Sequence, residues 1–243
     1  MQPLCRLLPN IQADGPTQMA ADDTLLDSAT HGIASLRFYT WSVPTLSLGY
    51  FQQARPARDD PRLKELAWLR RPSGGAALVH QHELTYALAL PAGTCWQPAG
   101  CSWLLRMHQC IQAALAEWNI SVHLAEREQV FGPVLCFLHH TPGDLLLGAC
   151  KVVGSAQRKQ RGALLQHGGI LLATSPYTPL LPGIRELSAR ALEPADLQAV
   201  LVATLSRQTG WAIEVGDWTD EEHQRQQTWR TRRYLSAAWN EKR

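Results

Sequence analysis

Apolar runs of strand length occupy residues 36–41, 45–50, 68–71, 77–80 and 84–90, with turn chemistry between them. Val43-Pro44 breaks the first two runs apart, and Pro72-Ser73-Gly74-Gly75 separates the third from the fourth. Proline fixes φ and glycine admits positive φ, so both breaks are turns with a mechanism. Upstream, residues 17–30 read as a helix with Met19, Leu25, Leu26 and Ala29 on one side and Asp22, Asp23 and Asp27 off it. The clearest helix lies within 100–119, where Trp103, Leu104, Met107, Ile111, Ala114, Leu115 and Trp118 recur at spacings of three and four. Apolar runs at 134–138, 145–147, 152–153 and 164–172 then read as a glycine-punctuated meander. Two helical stretches, 194–208 and 221–235, close the chain. Strands and helices mix without strict βαβ alternation. This predicts the α+β class: one domain over 1–243, its mixed and largely antiparallel β-sheet flanked by helices, with all five early strands continuing one sheet.

Composition removes several function classes. With 45% apolar and 18% charged residues, the 243-residue chain can bury a proper core. A net charge of +2 leaves no electrostatic footprint for nucleic acid, and the nine tryptophans are not interleaved with basic residues as a stacking platform would be. No window approaches the roughly 18 consecutive apolar residues of a membrane helix, and the N-terminus has no basic segment leading into an apolar one. The expectation is a cytoplasmic protein without membrane attachment. Six cysteines, at 5, 95, 101, 110, 136 and 150, lack metal-ligand spacing and read as free thiols, mostly buried as small hydrophobes. His139-His140 has no third ligand in reach, so an exposed loop is expected there and no metal.

Three stretches carry chemistry. In Arg70-Arg71-Pro72-Ser73-Gly74-Gly75-Ala76-Ala77-Leu78-Val79-His80, the glycine pair lets backbone N–H groups approach a ligand that a Cβ would repel. Such groups beside a guanidinium suit a phosphate or carboxylate; an ordinary hairpin turn with surface arginines is the alternative. Lys151-Val152-Val153-Gly154-Ser155-Ala156-Gln157 places a lysine beside an apolar pair. Such a lysine points to solvent or, if turned inward, polarises a carbonyl or moves a proton. Gln166-His167-Gly168-Gly169 sets polar groups and glycines inside an apolar run, a mark of a bulge or of close ligand approach.

The order and spacing of these stretches resemble the biotin/lipoate protein ligase superfamily, on its lipoate side. Met19-Ala20-Ala21-Asp22 is similar to the first-helix signature, and Thr45-Leu46-Ser47-Leu48-Gly49-Tyr50-Phe51-Gln52 to a characteristic strand. Arg70 to His80 resembles the "RRxSGGxAxxH" loop, with Glu83-Leu84-Thr85-Tyr86 as its continuation. Leu135-Cys136-Phe137, the Lys151 stretch and Gln166-His167-Gly168 complete the series, and the likeness runs over 19–239. The "GRGRxGR" loop of biotin ligases is absent from the sequence.

The resemblance implies one of two reactions. A cysteine-dependent octanoyltransferase moves octanoate from acyl carrier protein to a lipoyl-domain or glycine-cleavage H-type lysine, with no cofactor. An ATP- and magnesium-dependent lipoate–protein ligase reaches the same lysine through lipoyl-AMP. A non-catalytic lipoyl-domain-binding relative is a third reading. Cys136 and Lys151 are the implied catalytic residues; Arg70, Arg71, Ser73, Gly74, Gly75, His80, Gly154, Ser155, Ala156, His167 and Gly168 the implied substrate-binding ones. Cys136 favours the transferase, because such an enzyme needs a thiol to hold the acyl group as a thioester. Cys150, next to Lys151 on a strand, should face the opposite side. The sequence departs from the pattern at Ala76, Gln81 and His139-His140-Thr141-Pro142. The end at Arg243 leads us to expect no accessory C-terminal domain. The cluster Arg158-Lys159-Gln160-Arg161 is expected either to steer acidic carrier proteins or to be solvated surface.

Overall fold

The computed structural model describes residues 2–100, 102–132 and 134–243; Cys101 therefore lies outside the described residues. In chain order the elements are β1 (Leu4–Leu7), β2 (Ile11–Ala13), α1 (Gly15–Thr30), β3 (Ala34–Trp41), β4 (Thr45–Leu48) and α2 (Arg55–Arg58). Next come β5 (Ala67–Arg70), β6 (Leu78–His80), β7 (Glu83–Leu90), α3 (Trp103–Ala116), β8 (His123–Leu124) and β9 (Gln129–Val130). A 3₁₀ turn (Cys136–Leu138) leads into β10 (His139–His140), β11 (Leu145–Leu147), β12 (Cys150–Gln160) and β13 (Ala163–Leu171). The chain ends with α4 (Ile184–Ser188), α5 (Pro194–Thr209), β14 (Ala212–Val215), α6 (Asp220–Trp229), a π-helical turn (Arg230–Tyr234) and α7 (Ala237–Asn240).

Among the described residues, nine strands form the main sheet, in the order β14-β1-β3-β7-β13-β12-β11-β8 with β2 alongside β3. The strands from β3 to β8 pair antiparallel, whereas β1, β2 and β14 join in parallel. This is the mixed, mainly antiparallel sheet of an α+β domain. Alternation with period two divides its faces. Leu36, Phe38, Leu84, Leu88 and Ile170 share one core with Met107 and Ile111 of α3 and Leu197, Leu201 and Leu205 of α5. Tyr39, Ala87, Ala89, Ala163 and Leu165 face the other way, toward Leu25 and Leu26 of α1 and Tyr234.

Local chemistry sets the helix starts. Asp14 caps α1 by accepting from Thr17 N, with Pro16 in the first turn, and Ser102 caps α3 by accepting from Leu105 N. Thr219 and Glu222 form a capping box at α6.

Four expectations need correction. Strands β4, β5 and β6 make a separate three-stranded sheet over their own small core, because β4 pairs β5 in parallel and β6 antiparallel. Within the run 134–138, Leu135 makes only an isolated bridge to Ala77 and Cys136–Leu138 is a 3₁₀ turn, not a strand. Asp22 and Asp23 are buried: α1 lies between sheet and C-terminal segment, so its acidic side has no water and takes arginine partners. Asp22 pairs with Arg37 at 3.0 Å, and Asp23 with Arg158 at 2.7 Å and Arg233 at 2.6 Å. Finally, Cys5 and Cys110 are buried, but Cys95 is exposed and Cys136 and Cys150 are half-buried. Among the described residues no helix is long and apolar enough to cross a membrane.

Candidate functional site

A cavity of about 340 Å³ opens where the loop after β5 meets the middle of β12 and β13. Gly74, Gly75, Ala76, Leu78 and His80 form one wall; Lys151, Gly154, Ser155, Ala156, His167 and Gly168 form the other. Cys136 and His139 close one side, and Met19 of α1 reaches in.

Cys136 is fixed by the backbone on both sides of it. Its N–H donates to Ala77 O at 2.7 Å, and Ala77 N–H donates to Val134 O at 2.9 Å, so the 3₁₀ turn is stitched to the residue just before β6. Lys151 approaches from β12. Its Nζ lies 3.9 Å from Cys136 Sγ, 3.0 Å from His139 O and 2.7 Å from Asp144 Oδ2. Lysine and aspartate are 3% and 2% exposed. Asp144 is prepared by its own turn, since Thr141 N and Oγ1 both donate to its Oδ2 at 2.7 and 2.9 Å. Gly154 makes the approach possible: a Cβ there would stand 2.5 Å from Lys151 Cε. A carboxylate that fixes a buried ammonium beside a thiol is an arrangement for stabilising negative charge on sulfur or on an acyl oxygen.

The glycine loop is held from beneath. Gly75 has φ +93°, a conformation that favours glycine. The Arg71 guanidinium fills the loop, donating to Gly74 O and Ala76 O at 2.7 Å each and to Ser47 O at 3.1 Å. Burial pulls this guanidinium below its usual value, and the neighbouring Cys136 works in the opposite direction. His80 stacks on Trp41 with ring centroids 3.8 Å apart. Both its nitrogens are engaged, Nδ1 with Glu83 at 2.5 Å and Nε2 with Ser47 at 2.8 Å. His167 joins Ser73 Oγ through Nε2 at 2.5 Å and Asp22 through Nδ1 at 2.9 Å. The Ser73–His167–Asp22 chain has the connectivity of a serine triad. Ser73 is 2% exposed and does not line the cavity, so the chain anchors the loop to α1 and β13.

The cavity thus gathers Cys136, Lys151, Arg71, Gly74, Gly75, His80, Gly154, Ser155, Ala156, His167 and Gly168. Two expected residues are not on its wall. Arg70 is fully buried and donates to the backbone oxygens of Gly49, Gln52 and Asn240, tying the C-terminal segment to β5. Ser73 stands behind His167. Cys150 is also off the wall, as strand alternation requires once Lys151 faces in. His139 and His140 are not an exposed loop: they form β10, His139 lines the cavity, and burial together with Lys151 lowers the His140 pKa, Asp144 opposing. Of the basic cluster, Arg158 is spent on Asp23 and Gln160 donates to Asp27, leaving Lys159 and Arg161 exposed. Asp22 and Glu83 stand inside quoted motifs without a role assigned to them, and Asp144 had no signal in the sequence beyond being an acid beside a turn; the inward direction of all three is a tertiary fact.

The architecture is that of the lipoate protein ligases. The bipartite lipoate protein ligase of Thermoplasma acidophilum superposes with a TM-score of 0.77 at 17% identity, covering 99% of this chain and 96% of that one. A lipoate-protein ligase A bound with ATP superposes at 0.80 with 20% identity, covering 99% of both chains. The chain belongs to the lipoyl protein ligase A/B catalytic domain family, whose family model matches residues 14–220. Octanoyltransferase LipM of Carboxydothermus hydrogenoformans is 35% identical over 69% of this chain and 64% of its own length. The octanoyltransferase LipM of Kyrpidia tusciae is 26% identical over 97% of each. The alignment with that of Lysinibacillus sphaericus spans 63% of this chain and 60% of the relative.

Proposed function

We propose that this protein is an octanoyltransferase that moves octanoate from acyl carrier protein to the lysine of a lipoyl-domain protein through a Cys136 thioester. The observation that carries the reading is the Lys151 amine, 3.9 Å from the Cys136 sulfur and facing the Gly74-Gly75 loop across one cavity. In the first step the Cys136 thiolate attacks the donor thioester carbonyl. The C–S bond to the phosphopantetheine arm breaks, and that thiolate leaves and is protonated. The Lys151 ammonium stabilises the oxyanion in between. In the second step a lipoyl-domain lysine amine attacks the Cys136 thioester, forming the amide, returning the thiolate and releasing one proton. Met19, Leu78, Ala156 and the glycine faces of β13 would receive the alkyl chain; Arg71 supports the loop, while His80 and His167 shape the walls. Neither step calls for a cofactor, and we place the enzyme in the cytoplasm.

The test is an intact-mass measurement after mixing the protein with octanoyl-acyl carrier protein without ATP. One octanoyl adduct, absent from Cys136→Ala and discharged by a lipoyl domain, is the expected result. If no adduct forms and lipoate with ATP and magnesium modifies the lipoyl domain, the reaction is ligation; if neither reaction occurs, the chain is a non-catalytic binder.

A further inference from the structure

Helix α3 packs against the sheet through Trp103, Met107, Cys110, Ile111, Ala114 and Leu115, all buried. One polar side chain interrupts this stripe. His108 is fully buried, and a buried imidazole is retained at a cost unless both nitrogens find partners. Both do. Nδ1 lies 2.5 Å from Gly143 O and Nε2 lies 2.6 Å from Ser155 Oγ.

The direction of these bonds follows from their chemistry. A carbonyl only accepts, so Nδ1 carries the hydrogen; burial lowers the His108 pKa, so the ring is neutral and Nε2 accepts from the Ser155 hydroxyl. Ser155 Oγ in turn accepts from Tyr86 OH at 2.5 Å, and Tyr86 OH accepts from Gln166 Nε2 at 2.9 Å. His108 therefore bonds on one side to the 141–144 turn and on the other to β12, four residues beyond Lys151. Gly143 directly precedes Asp144, the carboxylate that holds the Lys151 amine.

We infer that His108 is a positioning residue for the acyl transfer: its Nδ1 hydrogen bond to Gly143 sets the turn so that Asp144 aims the Lys151 amine at Cys136. The inference rests on the acyl-transfer reading above. A shift of the amine by about 1 Å takes it out of reach of the oxyanion, and misplacement on this scale costs up to about a hundredfold in rate.

Two amide substitutions separate this role from packing. In His108→Asn the amide nitrogen occupies the place of Nδ1 and keeps the Gly143 bond; in His108→Gln the amide reaches the place of Nε2 and keeps only the Ser155 bond. Both remove the ring from the same core, so their melting temperatures should fall alike. The expected result is that kcat for octanoyl transfer falls about tenfold or more in His108→Gln and stays within about threefold in His108→Asn, with KM for octanoyl-acyl carrier protein unchanged in both. Equal losses in the two variants, or full activity in His108→Gln, overturn the inference. If the wild-type protein takes up no octanoyl group, the functional reading fails separately. Iodoacetamide alkylation of Cys136, followed by peptide mass at fixed pH, then decides the positioning: slower in His108→Gln alone supports it, equal in both variants overturns it.

Discussion

Lys151 and Asp144 face one another at 2.7 Å with almost no exposure, and this sets the energetics of the site. Two charges taken out of water recover their desolvation only through each other and through added hydrogen bonds, which Thr141 supplies to the carboxylate. Removing the ammonium leaves an uncompensated buried anion. Lys151→Ala should therefore abolish transfer and also lower unfolding free energy by about 3–5 kcal/mol, measured by urea titration. Adding Asp144→Asn should restore part of that stability and none of the activity. If Lys151→Ala melts like the wild type, the pair is not buried as described. The lysine and the cysteine were legible in the sequence because a motif surrounds each. Asp144 was not, because nothing in Thr141-Pro142-Gly143-Asp144 distinguishes an inward carboxylate from a solvated turn acid.

Strand β12 carries Lys151 and, three residues on, Gly154 on the cavity wall beneath its side chain. An added Cβ at 154 would lie 2.5 Å from Lys151 Cε and 2.9 Å from its Nζ. The clash is with the end of a flexible side chain, so the strand should tolerate it, and the lysine would swing its amine away from Cys136 while keeping Asp144 as its partner. Gly154→Ala is expected to keep its melting temperature within a few degrees while octanoyl transfer falls about tenfold or more, checked by a thermal scan beside single-turnover kinetics. A fall in both, in proportion, would point to strand disruption instead. At this scale periodicity did well: α1, α3, α5 and the strands β3, β4, β5, β6, β7, β11, β12 and β13 lie close to the residues their patterns mark, whereas β8, β9 and β10, of two residues each, went unmarked. It missed β1, β2 and β14, which have three or four residues each and pair in parallel with partners far along the chain; short segments carry no periodic signal of their own. It also merged β4, β5 and β6 with the main sheet. Strand propensity says that a segment pairs, not with which sheet, and only the cores that form beneath decide that.

The ends of the chain meet across α1, and one carboxylate ties them. Glu222 of α6 accepts from Arg6 of β1 at 2.7 and 3.0 Å, from Ser28 of α1 at 2.6 Å and from the Thr219 backbone at 3.0 Å. Burial alone would raise its pKa, yet the bonds from Arg6, Ser28 and Thr219, with the Arg6 charge, hold it at about 2 against an ordinary 4.5. Its neighbour across the helix layer behaves oppositely: burial raises Asp23, only partly offset by Arg233 and Arg158. The signs then differ. A depressed carboxyl stabilises the fold above its unfolded value and loses that contribution as pH falls through the folded one, whereas a raised carboxyl gains a proton more readily in the folded state than in the unfolded one. Glu222, not Asp23, should therefore drive acid release of the C-terminal segment, over the window from about 4.5 down to about 2. A shift of this size corresponds to stability on the order of 3 kcal/mol lost across that window. Urea midpoints taken at successive pH values should decline in the wild-type protein and stay much flatter in Glu222→Gln, which starts lower at neutral pH because the Arg6 charge has lost its partner. Parallel curves for the two proteins would mean that the ends are held by packing of Tyr234 and the tryptophans alone, and that the charge contributes nothing to keeping α1, and Met19 with it, against the cavity.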